Sequence, residues 1–273
     1  MTLSEWVKES QTLIGGESPA LDARLILKHV TGLTHGQQIV HAHDQLTSED
    51  RKQLHLLRER RLAGEPIAYI IHSKEFYGRS FYVDERVLIP RADTEILVET
   101  VLTAVKNNVV SLDLPIIDVA TGSGAIGITL AAELGVDVLL SDISSEALAV
   151  ARINSTRLLG RELECIECDL LPLGQKYGII VSNPPYLTDA WVEAVDKSVH
   201  YEPKRALRGF GADGLAIIKA LIAQSKEHRS LFLECDYRQT QDVAVLLEAS
   251  GFRNVTIERD LANLERVVWG VRE

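Results

Sequence analysis

The segment Asn183-Pro184-Pro185-Tyr186 carries the most specific chemical signal in the sequence. It follows an apolar run at 178–182 that predicts a buried strand, so it falls at the carboxyl edge of a sheet, where open α/β folds bind ligands. The two prolines remove backbone donors and stiffen the loop, which leaves carbonyl oxygens as acceptors. Asn183 adds a side-chain acceptor and Tyr186 a flat apolar face.

Two acceptors in a rigid loop suit the methylation of a planar amino group. An amide or aromatic NH2 is a poor nucleophile because its lone pair is delocalised. Acceptors that bond both N–H groups hold the nitrogen and feed electron density to it, and positioning of this kind contributes roughly 7–11 kcal/mol. The sequence therefore predicts Asn183, Pro184 and Tyr186 as catalytic residues, with an ordinary proline turn as the alternative interpretation.

A glycine-rich turn lies upstream, between the apolar run Ile116–Ala120 and a predicted helix. Gly122, Gly124 and Gly127 satisfy G-x-G-x-x-G in the strand–turn–helix context that the motif requires. Asp142 ends the next predicted strand, where a carboxylate can accept both ribose hydroxyls. These residues predict a cofactor that contains adenosine; a tight turn without a ligand is the alternative.

The acid before the glycines favours S-adenosylmethionine over NAD. Asp118 would repel a pyrophosphate but suits the cationic methionine ammonium, directly or through water. Asp169, at the end of the following strand, is placed to accept from the adenine amino group, and Leu170 to lie against the ring. The predicted cofactor-binding residues are Asp118, Ala120, Thr121, Gly122, Ser123, Gly124, Asp142, Asp169, Leu170 and Asn183.

The elements around these motifs predict a helical domain at 1–75, a β-hairpin linker at 76–90 and an α/β domain at 91–273. The predicted hairpin consists of short β-rich runs, the last of which is Val87–Ile89. Beyond residue 115 strands and helices alternate, which predicts a parallel sheet covered by helices on both faces. The last two predicted strands form a pair similar to the sixth and seventh strands of methyltransferases. The expected fold class is α/β, with a seven-stranded Rossmann-like class I methyltransferase sheet and a small all-helical N-terminal domain.

Composition and charge limit the substrates and the location that we expect for this chain. The net charge is −10, and residues 1–80 are balanced, so all of the excess lies in residues 81–273. An acidic domain repels phosphate backbones, which lowers the expectation of a nucleic-acid substrate. No apolar run is long enough to span a membrane, and the start has no apolar signal core, so a cytoplasmic location is predicted. Cys165 and Cys168 form a lone C-x-x-C, too weak a signal to predict a metal.

Six segments of the chain resemble the HemK-type N5-glutamine methyltransferases: Ile89-Pro90-Arg91, Asp93-Thr94-Glu95, 118–127, Asn183-Pro184-Pro185-Tyr186, Tyr201-Glu202-Pro203 and 211–215. The resemblance implies methyl transfer from S-adenosylmethionine to the glutamine of the Gly-Gly-Gln loop in class I peptide chain release factors, with S-adenosylhomocysteine as product. It implies that the amide of the substrate is held by Asn183 and the backbone carbonyl of Pro184. It also implies that Tyr186 packs against this amide and that the helical domain docks the release factor. The substrate-binding set is Arg91, Asn183, Pro184, Pro185 and Tyr186.

The chain departs from the family pattern at three places. Ala120 stands where the family usually has glycine, and its Cβ disfavours positive φ. Leu170 stands where a tryptophan often follows the acid, and Glu234-Cys235-Asp236 replaces Glu-Xaa-Gly. Arg91, Glu95 and Glu202 look functional by resemblance, with ion pairing at the surface as the alternative for each.

Three other functions fit parts of the sequence. The same loop would serve methylation of a ribosomal-protein glutamine, or of an adenine amino group in nucleic acid. The glycine motif alone would serve an NAD-dependent oxidoreductase. A binding module that has lost its cofactor through Ala120 is the non-catalytic alternative.

Overall fold

The computed structural model describes residues 1–16 and 18–272 and divides into two compact units. One unit comprises Met1–Ser73 together with Asp196–Tyr201, and the other Lys74–Val195 together with Glu202–Glu273. Of the helices in the described residues, none combines the length and the apolar character that crossing a bilayer demands.

The first unit is helical, as predicted. Its helices are α1 (Leu3–Leu13), α2 (Pro19–Thr31), α3 (His35–Val40), α4 (Ser48–Leu62) and α5 (Ile67–Ile70). Local sequence sets their starts, because Thr2, Thr34 and Thr47 each form a capping box with the residue three positions on. Trp6 and Leu54 are buried in the apolar core between the helices.

The second unit begins with a hairpin and continues as alternating strands and helices. Its elements are β1 (Lys74–Phe76), β2 (Arg79–Phe81), α6 (Glu95–Lys106), β3 (Ile116–Val119), α7 (Ala125–Leu134), β4 (Val138–Asp142), α8 (Ser145–Leu159), β5 (Cys165–Glu167), β6 (Ile179–Ser182), α9 (Asp189–Ala194), α10 (Ala216–Gln224), β7 (Ser230–Glu234), α11 (Thr240–Ala249), β8 (Arg253–Arg259) and β9 (Glu265–Val271). Of the linker expected at 76–90, only Phe76 and Arg79–Phe81 pair as strands, and the hairpin begins two residues earlier, at Lys74.

The expectation of β structure at Val87–Ile89 is wrong. Val87 N–H donates to the backbone oxygen of Asp84 at 3.2 Å. The Asp84 carboxylate in turn accepts from Arg86 N–H at 3.1 Å. These bonds close a turn, and a side chain that satisfies nearby backbone donors favours a turn over an extended pairing.

Seven strands form one sheet in the order β5-β4-β3-β6-β7-β9-β8, which confirms the predicted fold class. The first five are parallel, and β9 runs antiparallel to both β7 and β8. Val119, which ends β3, lies in register with Ser141 on β4 and with Ser182 on β6. The loops after these three strands therefore meet at one edge of the sheet.

Apolar layers on both faces hold the sheet rigid. Strands β3, β6 and β7 are buried along their whole length, as expected for parallel strands covered by helices. Phe232 of β7 is fully buried and stacks on Trp269 of β9, with ring centroids 5.0 Å apart. This contact joins the antiparallel pair to the parallel part of the sheet.

Phe232→Ala is expected to lower the free energy of unfolding by about 3–5 kcal/mol, because it opens a cavity at the centre of the sheet. Urea unfolding followed by circular dichroism measures the change. Leu261→Ala is the matched control, since Leu261 is fully exposed and its truncation is expected to cost less than about 0.5 kcal/mol. Equal losses in the two variants would contradict this account of the core.

Candidate active site

A cavity of about 800 Å³ opens at the carboxyl edge of the sheet. Its wall contains seven of the predicted site residues: Ala120, Gly122, Asp142, Asp169, Leu170, Asn183 and Pro185. These residues come from the loops after β3, β4, β5 and β6, which the sheet register brings together. The volume is in the range of small-molecule sites.

The turn between β3 and α7 forms the floor of this site. Gly122 and Gly124 lie at φ 55° and 82°, a region that glycine reaches without strain. Gly127 allows close approach of helix to strand, because a Cβ there would lie 2.4 Å from Leu140 Cδ2. The glycine pattern thus meets a steric need at each of its three positions.

Ala120 adopts a left-handed backbone at φ 55°, although its Cβ disfavours that region. A non-glycine residue there costs roughly 1–2 kcal/mol. Leu170, at φ 67°, does the same. Ala120 therefore adds backbone strain at the cavity wall.

Asp118 lies behind the cavity wall, and its carboxylate is hydrogen-bonded to two residues of the turn and of the helix that follows. Its Oδ2 accepts from Thr121 Oγ1 at 2.6 Å and from Gly127 N–H at 2.9 Å. Its Oδ1 is buried and has no hydrogen-bond partner among residues 1–16 and 18–272. Burial raises the pKa of Asp118 to about 7. Thr121 and Ser123 are also buried, so these two predicted cofactor residues, like Gly124, shape the turn rather than line the cavity.

Asp142 lines the cavity and keeps part of its hydrogen-bonding capacity. Oδ2 accepts from Gly122 N–H and Oδ1 from Ser144 N–H, each at 2.9 Å. A carboxylate offers about four lone-pair sites, so two hydroxyls can still be accepted. Burial raises the pKa of Asp142, and the charge of Arg205 opposes that shift. The arrangement fits the ribose of an adenosine cofactor.

Asn183 presents its side-chain oxygen as an acceptor, because its Nδ2 donates to Thr94 Oγ1 at 3.1 Å. Tyr186 donates its hydroxyl to Glu234 Oε1 at 3.3 Å, and its backbone oxygen accepts from Gln239 Nε2 at 2.9 Å. Pro184 is buried beside them. Contacts with neighbouring segments therefore fix both ends of the predicted catalytic loop, at Asn183 and at Tyr186.

The three residues singled out by resemblance have defined partners. Glu202 is almost fully buried and accepts from Ile89 N–H at 3.0 Å and from Arg91 Nη2 at 2.5 Å. Glu95 accepts from Tyr77 N–H at 2.8 Å. Arg91 is partly exposed and does not line the cavity, so its predicted contact with substrate stays a prediction.

Some cavity residues were not predicted. They are Arg86, Leu88, Arg205, Phe210, Ala216 and Gln224, among others. They lie in loops or at the two ends of α10, outside the motifs, so only three-dimensional proximity identifies them. Within the part of the chain that the structure describes, no cluster of His, Cys, Asp and Glu has the makings of a metal site, and the three cysteines are free thiols.

Both units match known families. Residues 5–71 match the PrmC N-terminal domain, and residues 92–233 match the methyltransferase small domain. The chain is 37% identical to the release factor glutamine methyltransferase of Neisseria gonorrhoeae, over 99% of this chain and 97% of that protein. It is 33% identical to the release factor glutamine methyltransferase of Escherichia coli, over 99% of each.

Solved structures share the fold at low sequence identity. The catalytic domain of human METTL16, solved with an RNA hairpin, has a TM-score of 0.56 at 17% identity and covers 71% of this chain and 76% of that chain. A Thermus thermophilus 16S rRNA methyltransferase, solved with AdoMet and guanosine, has a TM-score of 0.54 at 16% identity and covers 74% and 50%.

The seven-stranded sheet and the cavity at its carboxyl edge define a methyltransferase of Rossmann-like fold. This class agrees with the predicted cofactor, S-adenosylmethionine. The chain belongs to the release factor glutamine methyltransferase family. The resemblance of its motifs to the HemK-type enzymes is thereby confirmed.

Asp142→Ala is expected to weaken the binding of S-adenosylhomocysteine by roughly 1.5–3 kcal/mol, the contribution of a hydrogen bond to a charged group. Isothermal titration calorimetry measures the dissociation constant. Asp137→Ala is the matched control, because Asp137 lies before the same strand, is mostly exposed and does not line the cavity. An unchanged constant in Asp142→Ala would contradict the assignment to ribose.

The binding of S-adenosylhomocysteine is expected to strengthen as the pH rises from about 5.5 to about 7, and then to level off. The predicted attraction between the ligand ammonium and Asp118 favours the ionised carboxyl, whose pKa lies at about 7 in the free protein. The predicted ribose contact of Asp142, whose pKa burial also raises, acts in the same direction. Calorimetry across this pH range, repeated with Asp118→Asn, measures the effect. A flat profile in the unchanged protein would rule out coupling between these carboxylates and the ligand.

Proposed function

We propose that this enzyme transfers a methyl group from S-adenosylmethionine to the side-chain amide nitrogen of the glutamine in the Gly-Gly-Gln loop of class I peptide chain release factors. The observation that carries the proposal is the orientation of Asn183, whose side-chain oxygen is left to accept from a substrate N–H. The names of the relatives support a release factor as partner.

When bound, S-adenosylmethionine supplies a methyl group on a sulfonium and is converted to S-adenosylhomocysteine. The chain's own residues position the nucleophile. Asn183 Oδ1 and the carbonyl oxygen of Pro184 each accept one N–H of the substrate amide, and Tyr186 packs against its plane. Acceptors on both N–H groups increase the electron density of the nitrogen as positive charge develops on it.

The amide loses a proton once it has been methylated, and no base is needed before the transfer. The nitrogen becomes acidic when it carries the new bond, so release to water is sufficient. Alignment is then the main task of the protein, and the buried strand β6 with its stiff double-proline loop serves that task.

The helical unit is the proposed docking surface for the release factor. Its helix α3 leaves Ile39 and Val40 largely exposed, at 63% and 80% of their surface. Exposed apolar side chains of this kind suit a protein partner. The acidic second unit argues against nucleic acid as a direct substrate. A cytoplasmic location is part of the proposal, because a release factor is the proposed partner.

The decisive experiment incubates the protein with labelled S-adenosylmethionine and a purified class I release factor. Mass spectrometry is expected to find one added methyl on the glutamine of the Gly-Gly-Gln loop. The matched substrate control replaces that glutamine by alanine and is expected to take up no label. DNA, RNA and a ribosomal protein are offered in parallel.

Asn183→Ala supplies the control on the enzyme side. It is expected to reduce kcat by a factor of roughly a hundred or more, because it removes an acceptor that stabilises the transition state, while the binding of S-adenosylhomocysteine is nearly kept. Label on both release factor variants, or on nucleic acid in place of either, would contradict the proposed substrate.

A further inference from the structure

One face of helix α10 forms part of the cavity wall. Ala216 and Ala220 line the cavity at a spacing of four residues, and Gln224 continues the same line at the end of the helix. Residues four positions apart lie on one face of an α-helix. This part of the wall therefore carries small apolar side chains along the helix and a polar side chain at its end.

Gln224 joins this helix to the segment after β5. Leu171 N–H donates to Gln224 Oε1 at 3.1 Å. Leu171 directly follows Asp169 and Leu170, which line the same cavity and are the residues predicted to contact adenine. The polar end of the α10 wall is therefore attached to the chain one residue beyond the predicted adenine contacts.

The hydrogen bond to Leu171 also orients the side-chain amide of Gln224. A backbone N–H can only donate, so it selects the oxygen end of the amide. The NH2 end donates to none of the residues that the structure describes, 1–16 and 18–272. A residue of the cavity wall thus keeps two N–H donors that no protein acceptor uses.

The adenine ring supplies acceptors for such donors. Its ring nitrogens N1 and N7 flank the carbon that carries the amino group, and both accept hydrogen bonds. Because Asp169 is predicted to accept from that amino group, N1 and N7 are the ring acceptors closest to this end of the cavity. A few polar groups in an apolar wall are the usual means by which a pocket orients a flat ligand.

We propose that Gln224 binds the adenine ring of the cofactor, with its Nε2 donating to N1 or N7 while Asp169 accepts from the amino group. This inference rests on the predicted position of the adenine at Asp169. It goes beyond the proposed function, because it does not depend on which group receives the methyl.

The first test measures the dissociation constant of S-adenosylhomocysteine in Gln224→Glu and Gln224→Met by calorimetry. Glutamate keeps an oxygen for Leu171 N–H but replaces the NH2 donor by a second acceptor, and methionine removes the amide altogether. Both variants are expected to bind roughly 10-fold more weakly, because a ring nitrogen loses its donor. Gln241→Met is the matched control, since Gln241 is exposed on α11 and does not line the cavity.

Wild-type affinity in Gln224→Glu would overturn the inference. A residue that only links α10 to Leu171 needs an acceptor and no donor, and glutamate preserves that structural role. The comparison therefore separates the binding of adenine from the attachment of the helix.

The second test uses analogues of S-adenosylhomocysteine in which a C–H group replaces one ring nitrogen. The wild-type protein is expected to bind the 1-deaza or the 7-deaza analogue about 10-fold more weakly than S-adenosylhomocysteine. For at least one of the two, this difference is expected to disappear in Gln224→Met, which measures the coupling between one side chain and one ring atom. The 3-deaza analogue is the ligand control, because N3 lies on the far edge of the ring.

Equal losses for each analogue in the wild-type protein and in Gln224→Met would overturn the inference, because the ring nitrogens would then have other donors. Each loss is a ratio measured within one variant, so general damage to the fold cancels. Failure to methylate a release factor would contradict the proposed function and leave these ratios unchanged, so the two proposals fail separately.

Discussion

The parallel pairing of β3 with β4 and β6 is the constraint on which the site depends. It aligns the ends of three strands, so the glycine-rich turn, Asp142 and Asn183 emerge at one edge of the sheet. Each strand is buried, and a shift of register by one residue would reverse the face of every side chain on it. The apolar core therefore fixes the geometry of a polar site.

Two buried carboxyl groups order the loops of that site, and burying each of them costs free energy. Asp118 and Glu234 are almost completely buried, and burial raises the pKa of each to about 7. Asp118 accepts hydrogen bonds from the glycine-rich turn, and Glu234 accepts one from Tyr186 of the Asn-Pro-Pro-Tyr loop. These hydrogen bonds offset part of the free-energy cost of burying each acid, and they order the two loops beside the cavity.

The Asn-Pro-Pro-Tyr loop combines two kinds of rigidity. The two prolines restrict its backbone, and contacts with neighbouring segments restrict its side chains. Asn183 contacts Thr94, and Tyr186 contacts both Glu234 and Gln239. For the proposed reaction, in which the methyl group is already activated, a rigid loop that positions the nucleophile is the form of catalysis that the protein can best supply.

The sequence by itself determined the fold class, the glycine-rich turn and the position of the Asn-Pro-Pro-Tyr loop, because these depend on local patterns: strand-to-helix alternation, glycines at fixed spacing, and two prolines after an apolar run. Only the tertiary structure decided that Asp118 lies behind the cavity wall, that Val87 belongs to a turn, and that Asn183 contacts Thr94. Those facts depend on residues far apart in the chain, whose proximity follows from packing and register and leaves no pattern in the sequence.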